Sequence, residues 1–231
     1  GSHIPADRNG IKFYRPDGEI DKQDETAVAD LAKTVEAENI SVTSASAENR
    51  AEKANAFFFE RNASLLPEKS LSGLKIGVYQ HSTVARDLFV DVLKHNGADV
   101  IPLGGSETFI PVDTEAVSAD TLEKLKAWSA EHKLDAIISA DGDGDRPLLA
   151  DEHGDPLRGD LIGLITANFL KADVVVTPVT SNSGIEDSGE FKVMRTKVGS
   201  PFVIAGMEEA LSKDSKGVIG FEANGGFLTA S

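Results

Sequence analysis

Apolar positions along the chain change rhythm at about residue 74. Before that point, Val28, Leu31 and Val35 recur at spacings of three and four, which predicts a helix over 24–37 with one buried face. Residues 39–55 are rich in Ser, Ala and Glu and fit either a loop or an exposed helix. Pro67 among polar neighbours makes 65–70 a linker. Beyond Leu74, short apolar runs alternate with helical patterns. Strands are predicted over 75–79, 99–103 and 135–139, and helices over 84–95 and 121–132, with Asn96-Gly97 stopping the first. Trp128 is expected to pack one helix face.

A second series of the same kind begins near Asp160. It predicts a helix over 161–170 and strands over 173–177, 191–196 and 217–221. Ser200-Pro201 starts a helix that runs to Leu211, with Ser200 as its cap and Pro201 in its first turn. This alternation places the chain in the α/β class, as consecutive three-layer α/β/α domains with mixed, mostly parallel sheets. No short repeat stands out, only two similar units whose boundary falls near 158–162. The opening without an initiator Met, and a close on Phe227-Leu228-Thr229-Ala230-Ser231 that reads as a strand cut short, point to a fragment.

Composition narrows the function. A chain of 231 residues holds one or two domains, and 40% hydrophobic with 26% charged residues is a globular composition. There are 38 acidic and 23 basic side chains, a net charge of −15, and no basic segment; such a surface repels phosphodiester backbones, so no nucleic-acid partner is expected. Apolar runs fall far short of the ~20 residues a membrane span needs, so no membrane partner is expected either. Cysteine is absent, which excludes disulfides, thiolate nucleophiles and Cys-ligated zinc and fits a reducing, cytoplasmic setting. Nothing in the sequence fixes an oligomeric state.

The sharpest chemical signal is Asp141-Gly142-Asp143-Gly144-Asp145-Arg146. Two glycines let the backbone bend so that three carboxylates can converge on one hard divalent cation. Three like charges that close repel unless a cation compensates them. Arg146 adds a planar fork suited to phosphate oxygens. The motif follows a strand, and ligands of open α/β sheets gather at carboxyl ends of strands. A calcium loop of EF-hand type competes, with Glu152 at its last position. However, Arg146 occupies the obligatory glycine position, and 147–150 reads as a strand where a helix should start. An acidic turn without a ligand is the third reading.

Two further segments carry weaker signals. At the start, Ser2 lies beside His3 and near Arg8 and Lys12, a setting suited to a serine that carries phosphate. Gly1-Ser2-His3 is also the remnant that tag removal leaves, so the origin of those three residues stays open. Towards the end, Arg195-Thr196-Lys197-Val198-Gly199-Ser200 and Glu222-Ala223-Asn224-Gly225-Gly226 both follow strands. Glu222 and Asn224 are expected to alternate on one side of an extended loop, as a pair gripping neighbouring sugar hydroxyls would. Such Gly- and Asn-rich loops are also ordinary turns. His81, His95, His132 and His153 show no ligand spacing and read as surface residues, and His81-Ser82-Thr83 reads as a helix-capping segment.

In combination these segments resemble the α-D-phosphohexomutase superfamily, and most closely its phosphomannomutase/phosphoglucomutase members. Gly1-Ser2-His3-Ile4-Pro5 through Lys12 is similar to the family's phosphoserine loop, Asp141 to Arg146 to its magnesium loop, and Glu222 to Gly226 to its sugar-recognition loop. The resemblance implies residues 1–68 as the C-terminal part of domain 1 with its linker, 69–160 as domain 2, and 161–231 as a truncated domain 3, with domain 4 absent. It implies a Mg²⁺-dependent phosphohexose mutase that interconverts hexose 1- and 6-phosphates, of mannose or glucose, through phosphorylated Ser2 and a bound hexose 1,6-bisphosphate. Ser2, Asp141, Asp143 and Asp145 would hold Mg²⁺. Arg146 would contact the transferring phosphoryl group, with Lys12 and His3 as candidates for proton transfer. Lys197, Gly199, Ser200, Glu222 and Asn224 would contact the phosphosugar substrate. Phe221, Asn224 and Gly226 depart from the common family form G-E-x-S-G-H, which bears on the choice of sugar rather than on the reaction. A non-catalytic α/β module that binds a sugar phosphate or a metal is the alternative.

Overall fold

The computed structural model describes residues 13–16, 18–37, 46, 48–213 and 215–230. Strands β1 (Tyr14–Arg15) and β2 (Gly18–Glu19) form a short antiparallel hairpin, followed by helices α1 (Lys22–Ala37) and α2 (Ala51–Ala63). The first main unit contains β3 (Lys75–Tyr79), α3 (Arg86–His95), β4 (Asp99–Leu103), α4 (Ala119–His132), β5 (Ala136–Ala140) and β6 (Pro147–Ala150). The second contains α5 (Gly159–Phe169), β7 (Val174–Pro178), β8 (Lys192–Thr196), α6 (Ser200–Leu211), β9 (Val218–Phe221) and β10 (Phe227–Ala230). Among the described residues, no helix is long and apolar enough to cross a membrane.

Both units build the same sheet. In the first, the strand order is β4-β3-β5-β6, with β3 parallel to β4 and β5, and β6 antiparallel at the edge. In the second, the order is β8-β7-β9-β10, with β7 parallel to β8 and β9, and β10 antiparallel at the edge. Each unit thus has a tight hairpin between its third and fourth strands, at the carboxyl end of the parallel strands.

Alternation within β7 explains the layers. Val175 joins Ala167, Ile219 and Phe221 on one face, while Val174 and Val176 join Val203, Met207 and Ala210 on the other. A strand buried on both faces needs a helix layer on each, and α5 and α6 supply them. In the first unit Tyr79, Leu125, Ile137 and Leu148 form the core beneath α4, and each such side chain contributes roughly 1.5–3 kcal/mol by leaving water. Trp128 packs against that core with its ring 5.2 Å from Tyr79.

The structure corrects several expectations. Val28, Leu31 and Val35 are 40, 65 and 48% exposed, because their spacing marks an apolar helix face without specifying what covers it. Helix α2 extends to residue 63, well beyond the ambiguous stretch, and packs on α3, with the Phe59 and His95 rings 5.5 Å apart. The cap of α6 is Gly199 at φ +120, not Ser200, whose own backbone is already helical. Helix α3 starts at Arg86, so His81-Ser82-Thr83 precedes its cap, Ala85. His81 is not a surface residue but is completely buried.

Candidate functional site

The acidic and the Glu/Asn motifs singled out in the sequence fall on the two hairpins. After β5, the Gly144 N–H donates to the Asp141 carbonyl at 3.2 Å, and the Asp141 N–H to the Arg146 carbonyl at 3.1 Å. After β9, the Gly225 N–H donates to the Glu222 carbonyl and the Glu222 N–H to the Gly226 carbonyl, both at 3.0 Å. Gly144 and Gly225 occupy matching positions with φ of +80 and +95, where a side chain would be strained. The segment over 222–226 is therefore a tight turn, not the extended loop expected. The backbone had to reverse within five residues to pair β10 with β9.

The first turn gathers its carboxylates. One oxygen each of Asp141, Asp143 and Asp145 lie within 4.8 Å of one another. Asp141 is buried, and its Oδ1 accepts the Arg146 N–H at 3.1 Å, while Asp143 and Asp145 face solvent. The strand β6 that follows removes the helix an EF-hand would need. An all-oxygen set of three carboxylates fits Mg²⁺, which takes a few carboxylates and completes its shell with water or phosphate oxygens.

A cleft of about 420 Å³ opens beside this turn, within the range of small-molecule sites. Asp145 and Arg146 line one side, and Ser200, Glu222 and Asn224 line another. Among the sequence-predicted substrate residues, these are the ones the structure brings together. Lys197 lies outside the lining and places its Nζ 5.6 Å above the Phe202 ring, and Gly199 caps α6 behind Ser200. Ser2, His3 and Lys12 lie outside the described residues.

The second turn is held by the first unit and by the start of α5. The Thr114 hydroxyl donates to the Asn224 carbonyl at 2.7 Å. Gly159 lies so close that a Cβ there would stand 2.3 Å from the Gly225 nitrogen. The Asn224 side chain is used locally, accepting the Gly226 N–H at 2.8 Å. Arg195 is committed to structure: it makes a two-armed pair with Glu186 at 2.7 Å and also donates to the Pro178, Ser181 and Asn182 carbonyls. Asp160 is buried at the start of α5. Burial pushes its pKa up, yet the Arg158 guanidinium and the Asn182 N–H outweigh that and hold it below the usual carboxylate value. Burial lowers the pKa of His81 below the ordinary histidine value, against the opposing pull of the Ala140 carbonyl.

Sequence reasoning missed Tyr14, Gly18, Val203, Ile204, Phe227 and Leu228, which also line the cleft, and it missed Thr114. The apolar tail over 227–230 is a visible strand signal, but pairing with β9, which sets Phe227 opposite Phe221 and Leu228 opposite Gly220, is what brings it to the cleft. No local pattern marks Thr114, since its partner lies 110 residues away.

Residues 56–154 match the model for phosphoglucomutase/phosphomannomutase alpha/beta/alpha domain II, and residues 158–231 match that for domain III. The chain belongs to the phosphoglucomutase/phosphomannomutase family. A phosphomannomutase of Sinorhizobium fredii is 54% identical over 233 residues, covering 100% of this chain and 49% of that protein. One of Salmonella muenchen is 47% identical over 235 residues, covering 100% of this chain and 47% of its own length. The chain thus spans about half the length of the curated relatives it matches. A phosphoglucomutase/phosphomannomutase family protein from Burkholderia thailandensis shares the fold, with a TM-score of 0.67 at 17% identity over 88% of this chain and 44% of that one. Both matched domains of this chain are α/β/α units, as the alternation of strands and helices predicts.

Proposed function

We propose that these residues supply the phosphoserine, metal and sugar loops of a Mg²⁺-dependent phosphohexose mutase, acting on mannose phosphates first and glucose phosphates second. The observation that carries the reading is the convergence of Asp141, Asp143 and Asp145 in a turn whose Asp145 lines a cleft together with Arg146, Glu222 and Asn224. The relatives named phosphomannomutase favour mannose. In the proposed arrangement, residues 1–68 bring the reacting serine, 69–160 the carboxylates and 161–231 the sugar contacts, in a cytoplasmic enzyme.

The phosphoryl group on Ser2 passes to the free hydroxyl of a hexose monophosphate. The Ser2 Oγ–P bond breaks, a P–O bond to the sugar forms, and the proton that the sugar hydroxyl gives up is relayed through Lys12 or His3 to the departing Ser2 Oγ. The bound 1,6-bisphosphate then turns and returns its other phosphate to Ser2. Asp141, Asp143, Asp145 and a serine phosphate oxygen would hold Mg²⁺, which when bound neutralises charge on the transferring group. Arg146 orients that group through paired N–H donors. Glu222 and Asn224, with Ser200, Gly199 and Lys197, orient the sugar.

Incubation with mannose 1,6-bisphosphate followed by mass spectrometry tests the reading. One phosphate per chain, on Ser2 and absent from Ser2→Ala, is expected. Incorporation that survives Ser2→Ala sinks the role of the serine. Mg²⁺ and mannose 6-phosphate binding with no incorporation at all favours a binding module.

A further inference from the structure

We propose that His81 is a positioning residue for the acidic turn: its ring fixes the Ala140 carbonyl and so sets the direction in which Asp141 leaves β5, tuning the turn's affinity for a divalent cation. The inference rests on the reading of that turn as a cation site.

His81 Nε2 lies 2.8 Å from the Ala140 carbonyl. A carbonyl only accepts, so Nε2 carries the proton. The ring is completely buried and lies 5.0 Å from the Tyr79 ring, and the backbone holds φ at +23, an unusual value for a residue with a side chain. Its own carbonyl is fixed by the Ser106 N–H at 2.8 Å. Three residues on, the Val84 N–H donates to the Gly142 carbonyl at 3.1 Å. The segment from 81 to 84 therefore grips the peptide carbonyls on both sides of Asp141.

The grip stands where the sheet stops. Pairing between β3 and β5 ends at Val78 and Ile138, so Ala140 lies beyond the last paired residue on that side, and its buried carbonyl needs another donor. The second unit solves the same problem at the same place. Pairing of β7 with β9 ends at Val176 and Gly220, and the buried Thr177 hydroxyl donates to the Phe221 carbonyl at 2.8 Å, one residue before Glu222. Two units with different sequences thus each set a side-chain donor on the carbonyl that precedes the functional turn.

Calorimetric titration with Mg²⁺ alone, beside thermal melts, separates positioning from simple stability. His81→Leu removes the donor and is expected to weaken binding about tenfold, whereas His81→Gln, which can place an amide N–H similarly, stays within about twofold of wild type. Thr177→Val loses the matching bond in the other unit and leaves Mg²⁺ binding unchanged, whatever it does to the melting temperature. Wild-type affinity in His81→Leu, or equal weakening in Thr177→Val, overturns the inference. Absence of binding in the wild type overturns the cation reading itself, and the inference with it. Should His81→Leu not fold, NMR of the wild type decides: Mg²⁺ shifts the His81 ring N–H signal with the calorimetric midpoint, and an unmoved signal overturns the role.

Discussion

The two units share a strand order, an antiparallel edge hairpin and a glycine at positive φ in the hairpin turn, yet what they present at that turn is opposite in kind. The first offers three carboxylates in six residues, one of them buried. The second offers one carboxylate and one amide, both half-buried along a cleft. Strand order and a glycine-centred turn are shared, so the difference between them resides in the side chains that one frame carries. The shared frame also orients both turns towards the same cleft, which puts a candidate cation site beside candidate hydroxyl-binding groups.

Changes at five positions break or sharpen that contrast. Asp141→Asn should weaken Mg²⁺ binding by about a hundredfold, and the exposed Asp143→Asn by about tenfold, with the second turn's ligand binding untouched. Calorimetry with Mg²⁺ and with mannose 6-phosphate reads both arms; unchanged Mg²⁺ affinity in either variant counts against the site. Next, Gly159→Ala places a methyl 2.5 Å from the Ala223 carbonyl, and should cost about 1–3 kcal/mol in a thermal melt. It should impair mannose 6-phosphate binding and spare Mg²⁺ binding; loss of both would show the turns to be a single unit.

Thr114→Val removes a hydroxyl that reaches the Asn224 carbonyl from the first unit, worth about 1 kcal/mol, or roughly fivefold in sugar-phosphate affinity. Thr114→Ser should restore it, and equal weakening in both variants would refute a hydrogen-bonding role. The smallest effect is in acid. The Asp160 carboxyl titrates near 3.8 when unpaired and lower in the fold, so its stabilisation is complete above that value and drains as the pH falls through the folded pKa. The gap in melting temperature between wild type and Asp160→Asn should therefore narrow below pH 3.8; a gap that stays constant into stronger acid contradicts the pairing with Arg158.

Local grammar made much of this legible. Strand β5 and its acidic turn were readable because β-branched residues, glycines and carboxylates fall in a short window. Residues 147–150 read as a strand from their short apolar run, and β6 there leaves no room for the helix of an EF-hand. What stayed hidden depends on contacts far apart in sequence. His81 reads as a surface residue alone, yet it is buried against a carbonyl 59 residues away. Glu222 and Asn224 stand out in the sequence by their position after a strand, but their loop tightened into a turn because β10 folds back on β9. The stripe on α1 shows the opposite limit: a perfect helical spacing can lie in the open.

The claim on which the contrast depends is that the first turn, and not the second, holds a divalent cation. Crystals soaked in Mn²⁺ test it most directly through anomalous scattering. A single strong peak among Asp141, Asp143 and Asp145, absent from Asp141→Asn crystals, is the predicted result. No peak there, or one of equal strength at Glu222, would contradict it.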